Sequence, residues 1–391
     1  MKRLKVLFIT LWYPSKENPV LGVFIREHAK AVRLYDDVVV LHCCGPDPEY
    51  DFKRLWRMEK ETDPTLSEGI PTYRLWHMPM RVAVLCEFVV VCSVLCAFRR
   101  IVAGGFRPHI IHGHVHEAGF LAVILGKLRR IPVVVTEHST GFPRRLLERR
   151  AIRRARIAFG SADRVTPVSK SLQNAIERYG IQARFEVVPN VVDTRLFRPP
   201  RASQPRSVLK RLLVVALFSS AHTKGIPYLL KALGQLRRHR DDWRLDIVGD
   251  GPVRAEYMRL AESLGLGDKA TFHGLKPKSE VAELMRASDL VVVPSLFETF
   301  SVVAAEALAT GTPVLATRCG GPEEFVTDAV GRVVPPGDTQ ALEEGLDYML
   351  SRLDRFVPAQ ISRYAVERFS PERVGQQLHA VYAACLASNA S

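Results

Sequence analysis

The sequence predicts an α/β protein of two doubly wound domains, each a parallel sheet with helices on both faces. Three observations predict it. At 391 residues the chain exceeds what one typical core accommodates. Short apolar runs alternate with segments of helical period, the pattern that lays strands side by side in parallel. Midway this alternation stops at a Pro- and Arg-rich stretch, Arg198 to Arg206, and afterwards restarts.

In the first half, Lys5–Thr10, Val38–His42, His109–His112, Val133–Thr136 and Arg164–Pro167 read as buried strands. Each is a short apolar run ending in small or polar residues. Helix-like stretches lie between several of them, such as Val23–Leu34, Ala118–Leu128 and Arg145–Phe159. In the second half the strands are Leu212–Leu217, Arg244–Val248, Ala270–Phe272, Leu290–Val293 and Val314–Ala316. The expected organisation is a domain at 1–198, a linker at 199–210 and a domain at 211–391, with the final helix free to return to the first domain. Both domains are Rossmann-like. Ligands of such sheets sit at the carboxyl ends of the strands, so a cleft between the domains is the expected site.

With 47% hydrophobic and 25% charged residues and no low-complexity run or internal repeat, the chain reads as globular rather than disordered or fibrous. Its seven cysteines contain no C-x-x-C pair, which fits a reducing compartment. The opening MKRLKVLFITLWYP is basic and then apolar but lacks a small-residue cleavage site, so a buried first strand and a cytoplasmic protein are expected.

The charge of +14 is unevenly spread. Residues 1–200 hold 32 Lys+Arg against 19 Asp+Glu, and the remainder 23 against 22. An anionic partner for the first half follows. Nucleic acid is excluded as a reading, because no recognition motif and no interleaving of basic with aromatic residues accompanies the charge. A membrane surface remains. Arg144 to Arg156 carries seven arginines and one acid, too unbalanced for ion pairs along a solvated helix. Val82–Phe98 is a 17-residue stretch, apolar apart from Glu87 and Ser93. It leaves three readings: a buried helix, a helix leaning into the membrane interface, or a short span. A peripheral enzyme on the inner face of the membrane is the expectation.

The stretch Ser295 to Thr317, SLFETFSVVAAEALATGTPVLAT, carries two glutamates eight positions apart. Leu290–Val293 is a strand and Thr299–Ala309 a helix ended by Gly311 and Pro313. Glu298 then lies at the helix N-terminus, where a carboxylate is favoured as a cap or as a ligand group. Glu306 lies two turns inside among apolar neighbours and needs a polar partner, a role that two ribose hydroxyls would serve. A rise of about 1.5 Å per residue puts the two roughly 12 Å apart. That is wider than the carboxyl pairs of glycosidases. The pair reads as binding.

These residues resemble the retaining nucleotide-sugar glycosyltransferases of family 4, with the GT-B fold. The Glu-x7-Glu signature is Glu298…Glu306, followed by Gly320-Gly321 and Glu324. Lys224-Gly225, Val248-Gly-Asp-Gly-Pro252, Phe272-His-Gly274 and Pro189-Asn190 with Asp193 and Phe197 occur in the family's order. The resemblance implies that Glu306 holds the ribose and Glu298 the donor-sugar hydroxyls. It implies that backbone N–H groups of Phe300, Ser301 and Val302 meet the diphosphate, with Lys224 as its cation. Gly22 and Gly249 would let backbone approach the donor closely. His138 would face the donor sugar near the reaction centre.

Two positions depart from the family. Ser219 stands where an arginine usually joins the lysine, and Val191 replaces the glycine of the PNG segment. His222, the helix dipole or a remodelled loop are the alternatives for the missing cation. No Asp-x-Asp motif is present, so the expected reaction needs no metal or other cofactor. It moves a sugar, with retention, from a UDP- or GDP-sugar to a glycan or lipid-linked acceptor. A sugar-nucleotide epimerase and a catalytically weak membrane-associated assembly protein are the competing readings.

Overall fold

The computed structural model describes residues 3–48, 55–79, 82–200 and 208–388. The chain divides into two compact units, 1–191 with 371–391, and 192–370. The change of unit therefore falls at Val191/Val192, ahead of the linker expected at 199–210, most of which lies outside the described residues. The second unit closes at Ser370, and the final helix, which the sequence reading left free to return to the first domain, is grouped with the first unit.

The first unit contains β1 (Lys5–Thr10), α1 (Val23–Arg33), β2 (Asp37–Pro46), β3 (Trp56–Lys60), α2 (Pro64–Ser67), β4 (Thr72–His77), α3 (Ala83–Ala103), β5 (Ile110–His114), α4 (His116–Arg129), β6 (Val133–Glu137), α5 (Arg149–Ser161), β7 (Arg164–Pro167) and α6 (Lys170–Glu177). Its sheet has the order β3-β4-β2-β1-β5-β6-β7. The central strands are buried on both faces, as parallel strands covered by helices must be. The expectation of a wholly parallel sheet needs one correction. β3 pairs antiparallel with β4 at the sheet edge. Neither strand was foreseen, because WRMEK is mostly polar, as one exposed edge strand can afford to be.

The second unit contains β8 (Lys210–Val215), α7 (Ile226–Leu236), β9 (Trp243–Val248), α8 (Arg254–Ser263), β10 (Ala270–Gly274), α9 (Lys278–Arg286), β11 (Leu290–Val293), α10 (Val302–Ala309), β12 (Val314–Thr317), β13 (Gly331–Val334), α11 (Thr339–Leu350) and α12 (Pro358–Phe369). Its order is β10-β9-β8-β11-β12-β13, parallel throughout. Chain order reverses between β8 and β11, and a crevice outside the carboxyl ends of the two strands at such a reversal is the general ligand site of these sheets.

The last helix, α13 (Pro371–Ser388), belongs to the first unit. Val374, Leu378, Val381 and Tyr382 join Ile25, Ala29 and Val32 of α1 in a core shared with Val6, Phe8 and Val40 of the sheet. Helix α3 is half-buried. Val94, Ala97, Phe98 and Ile101 pack inward, whereas Leu85 and Phe88 are 48% and 66% exposed. Among the described residues no helix is long and apolar enough to cross a membrane.

Candidate functional site

In the second unit the crevice is built by the β8–α7 and β11–α10 loops. The Leu296 N–H donates to the Thr223 carbonyl at 2.8 Å, tying the two loops together. Gly225 makes the approach possible: φ is +66°, and a Cβ there would stand 1.8 Å from the Pro294 carbonyl oxygen. Gly249 plays the same part against Ala216 on the neighbouring strand, with φ +142°. Gly249, which the resemblance assigned to donor contact, thus has a structural duty as well: with Gly225 it lets the loops at the strand ends close on one another.

Lys224 and Glu298 meet in this crevice, Nζ to Oε1 at 2.6 Å, and the Ser295 hydroxyl donates to the same oxygen at 2.8 Å. The resemblance gave these side chains different parts of the donor; the structure pairs them with each other. Glu298 is not at the helix N-terminus. Its N–H donates to the Cys319 carbonyl and its carbonyl accepts from Gly321, a short bridge between two loops. Helix α10 begins at Val302, capped by Ser301, whose Oγ accepts from the Ala304 N–H and whose φ is +72°. A non-glycine residue in that region is strained, and such strain collects at ligand sites. The 12 Å separation inferred for Glu298 and Glu306 assumed helix throughout, so it does not apply here.

Ser301 and Val302 therefore stand at the true helix start, where free N–H groups favour an anion. Phe300, just before, is buried against Phe325 and Phe369 and anchors the loop. Glu306, one turn into α10, is 7% exposed. At the position of the missing arginine, the Ser219 hydroxyl lies 3.3 Å from that of Thr223. His222 does not supply a substitute cation toward the crevice: its ring bonds the Tyr257 hydroxyl at 2.9 Å and lies beside Glu256. Ser295 and Thr223 were not singled out in the sequence, since nothing local marks a serine or a carbonyl that becomes a partner across strands.

In the first unit the corresponding strand ends belong to β1, β5 and β6. Gly22, with φ +67°, caps α1, and a Cβ there would lie 2.2 Å from the Trp12 carbonyl oxygen. Two residues on, the Phe24 ring packs 4.6 Å from that of His138. His138 follows β6, 6% exposed, with its N–H donating to Glu137. Fully buried Glu137 also accepts from the Ser139 and His116 N–H groups, fixing the turns after β5 and β6. Val115 between them has φ +68°, strained for a β-branched residue. Burial drives His138 well below its ordinary pKa, so its ring is neutral. Gly22 and His138 are thus brought to one face of this unit.

Two Rossmann-like units of this construction define the GT-B class of proteins. Residues 21–196 match the model for Glycosyltransferase Family 4, and residues 201–365 that for Glycosyl transferases group 1. The chain belongs to glycosyltransferase family 4. It is 30% identical over 271 residues to the D-inositol 3-phosphate glycosyltransferase of Paenarthrobacter aurescens, covering 63% of this chain and 66% of that one. It is 33% identical over 239 residues to the MMP alpha-(1->4)-mannosyltransferase of Mycolicibacterium hassiacum, covering 59% and 56%. The matched part thus spans under two thirds of either relative. Among solved structures, HepE of Anabaena in complex with UDP superposes with a TM-score of 0.76 at 22% identity, over 97% of this chain and all of that one. The sucrose-phosphate synthase of Thermosynechococcus elongatus gives 0.73 at 22%, over 98% and 100%.

Proposed function

We propose that this protein transfers a glycosyl group from a nucleotide-sugar donor, a UDP- or GDP-sugar, to a glycan or lipid-linked acceptor with retention of configuration. The observation that carries the reading is the Lys224–Glu298 pair at the strand-order reversal, beside the free N–H groups at the start of α10. In the proposed complex the donor's diphosphate draws Lys224 from Glu298, and Glu298 turns to the sugar hydroxyls. Glu306 holds the ribose. As the bond to the sugar breaks, negative charge grows on the leaving diphosphate, where the ammonium and the helix N–H groups stabilise it. No metal or other cofactor is called on for this step. The relatives named D-inositol 3-phosphate glycosyltransferase and MMP alpha-(1->4)-mannosyltransferase, and the HepE structure with UDP, support a donor of this class.

The acceptor reading extends to the membrane. Glu87 of α3 pairs with Arg150 and Arg154 of α5, so α3, on which Leu85 and Phe88 are exposed, lies beside the arginine-rich helix. Exposed apolar and basic side chains on adjoining helices suit a peripheral protein on the anionic cytoplasmic leaflet. Thermal-shift measurement against UDP, GDP and ADP in the presence of EDTA tests the core proposal. Stabilisation by one of them, followed by product analysis showing a retained anomeric configuration, is expected. No response to any nucleoside diphosphate overturns it and favours an assembly protein, the reading that Ser219 motivates. Epimerised donor without transfer favours the epimerase.

A further inference from the structure

Besides the donor crevice, the first unit gathers three histidines that nothing in the transfer reaction requires together. His28 comes from α1, His114 from the end of β5 and His138 from the turn after β6. One ring nitrogen from each lies within 4.8 Å of those of the other two, and all three side chains are buried. His114 Nδ1 and His138 Nε2 are 3.3 Å apart. Zinc–imidazole bonds of about 2.0–2.1 Å at tetrahedral angles set ligand nitrogens roughly 3.4 Å apart, so this pair already stands at the edge length of a metal site. His28 donates from Nε2 to the Pro189 carbonyl at 3.0 Å, which leaves Nδ1 as its lone-pair nitrogen. A backbone hydrogen bond of this kind fixes ring and tautomer for a metal ligand.

The ordinary account of buried histidines is that their polar atoms are satisfied by neighbours. His112, one position pair away, meets it fully, bonded to Tyr382 at 2.7 Å and Thr136 at 2.6 Å. His28 does not. Its Nδ1, the nitrogen left to ligate, is buried with no hydrogen-bond partner. Around the triad stand the rings of Phe8, 4.5 Å from His114, and Phe24. An apolar shell of this kind lowers the local dielectric and limits solvent access around a metal.

We infer that His28, His114 and His138 together bind one divalent transition-metal ion of the zinc class, with a solvent molecule completing a tetrahedron. Carboxylate-preferring ions such as Mg²⁺ are excluded by the all-imidazole donor set. A metal takes imidazole in its neutral form, and burial already holds all three neutral, His28 with its pKa at about 4. Closing the triad asks the His28 ring to move by about 1.5 Å at most, the difference between 4.8 Å and the tetrahedral edge. Binding stands apart from glycosyl transfer. Only its consequence rests on the proposed role of His138: a ring held by metal is withdrawn from the donor sugar, so zinc should inhibit.

The test begins with full-length protein stripped by EDTA and titrated with Co²⁺. One equivalent should develop the visible bands of tetrahedral Co²⁺, and Zn²⁺ should abolish them. His28→Gln keeps an amide to donate to Pro189 but removes the ligand nitrogen, and should weaken binding by about a hundredfold or more. His114→Gln should do the same. An octahedral Co²⁺ spectrum in the wild type, or full tetrahedral binding in a folded His28→Gln, overturns the inference. X-ray absorption of the zinc-loaded wild type answers without any variant. Three imidazole ligands are expected; one or none overturns the site. Tight binding that leaves transfer undiminished would keep the site and remove His138 from the reaction centre.

Discussion

Glu298→Gln should make this protein bind its nucleoside diphosphate more tightly while slowing its turnover. The reasoning starts from the 2.6 Å contact with Lys224. Lys224 is 35% exposed and Glu298 12%, so the pair sits between a surface and a buried one. Discounted for that exposure, it contributes about 1 kcal/mol. A diphosphate that recruits Lys224 must first give up that pair. Glutamine keeps the shape and an acceptor for the Ser295 hydroxyl, but it holds an ammonium far less strongly. Removing a 1 kcal/mol competitor strengthens binding about fivefold. Lys224→Ala acts oppositely: the loss of a charge-assisted bond of about 1.5–3 kcal/mol weakens diphosphate affinity roughly ten- to a hundredfold. Calorimetric titration with whichever of UDP, GDP and ADP stabilises the protein measures all of this, with circular dichroism to confirm that each variant is folded. The double variant should bind no better than Lys224→Ala alone, because without the lysine there is nothing for Glu298 to compete over. Unchanged affinity in both single variants would refute the argument and leave the pair as a structural clamp between two loops.

Three further outcomes follow from other parts of the molecule. Glu306→Gln should cut nucleotide affinity by roughly ten- to a hundredfold through loss of charge-assisted bonds to ribose, and wild-type affinity would make Glu306 a structural carboxylate. Replacing Arg149 and Arg153, two of the exposed arginines that α5 does not commit to Glu87, by Gln should lower binding to anionic vesicles by about 1 kcal/mol each. Equal sedimentation with neutral vesicles removes electrostatic docking from the account. Thermal stability should fall as pH drops from 7 toward 4. Burial holds His28 and His42 at about 4 and His112, His114 and His138 well below their ordinary value, so in that window the unfolded chain takes up protons that the folded chain refuses. Each contributes up to about 1.4 kcal/mol per pH unit and its full share above pH 6.5. His116 opposes them: burial pushes it down, but Glu137 outweighs that and raises it, so its contribution is lost as pH rises. A melting temperature flat from pH 7 to 5 would contradict this balance.

What the sequence determined by itself is the set of buried strands and the residue types at their ends. Lys5–Thr10 and Leu290–Val293 were legible to the residue, because a strand covered on both faces carries a continuous apolar run, VLFI in the one and LVVV in the other. Gly225 and Gly249 were legible as glycines in motifs, though not as the points where one loop backbone presses on another. Tertiary structure decided the rest. WRMEK became an edge strand only because β4 offers it hydrogen bonds. The first turn expected at Thr299 was lost to the bridge between Glu298 and Gly320, whose partner lies beyond the helix. Lys224 and Glu298 are 74 positions apart and meet because β8 and β11 are neighbours in the sheet. His28, His114 and His138 come from three separate elements, and local periodicity records which face a residue takes but not which strangers it faces. Burial is written into each segment's own pattern; strand order, and the encounters it creates, is settled only when the whole sheet assembles.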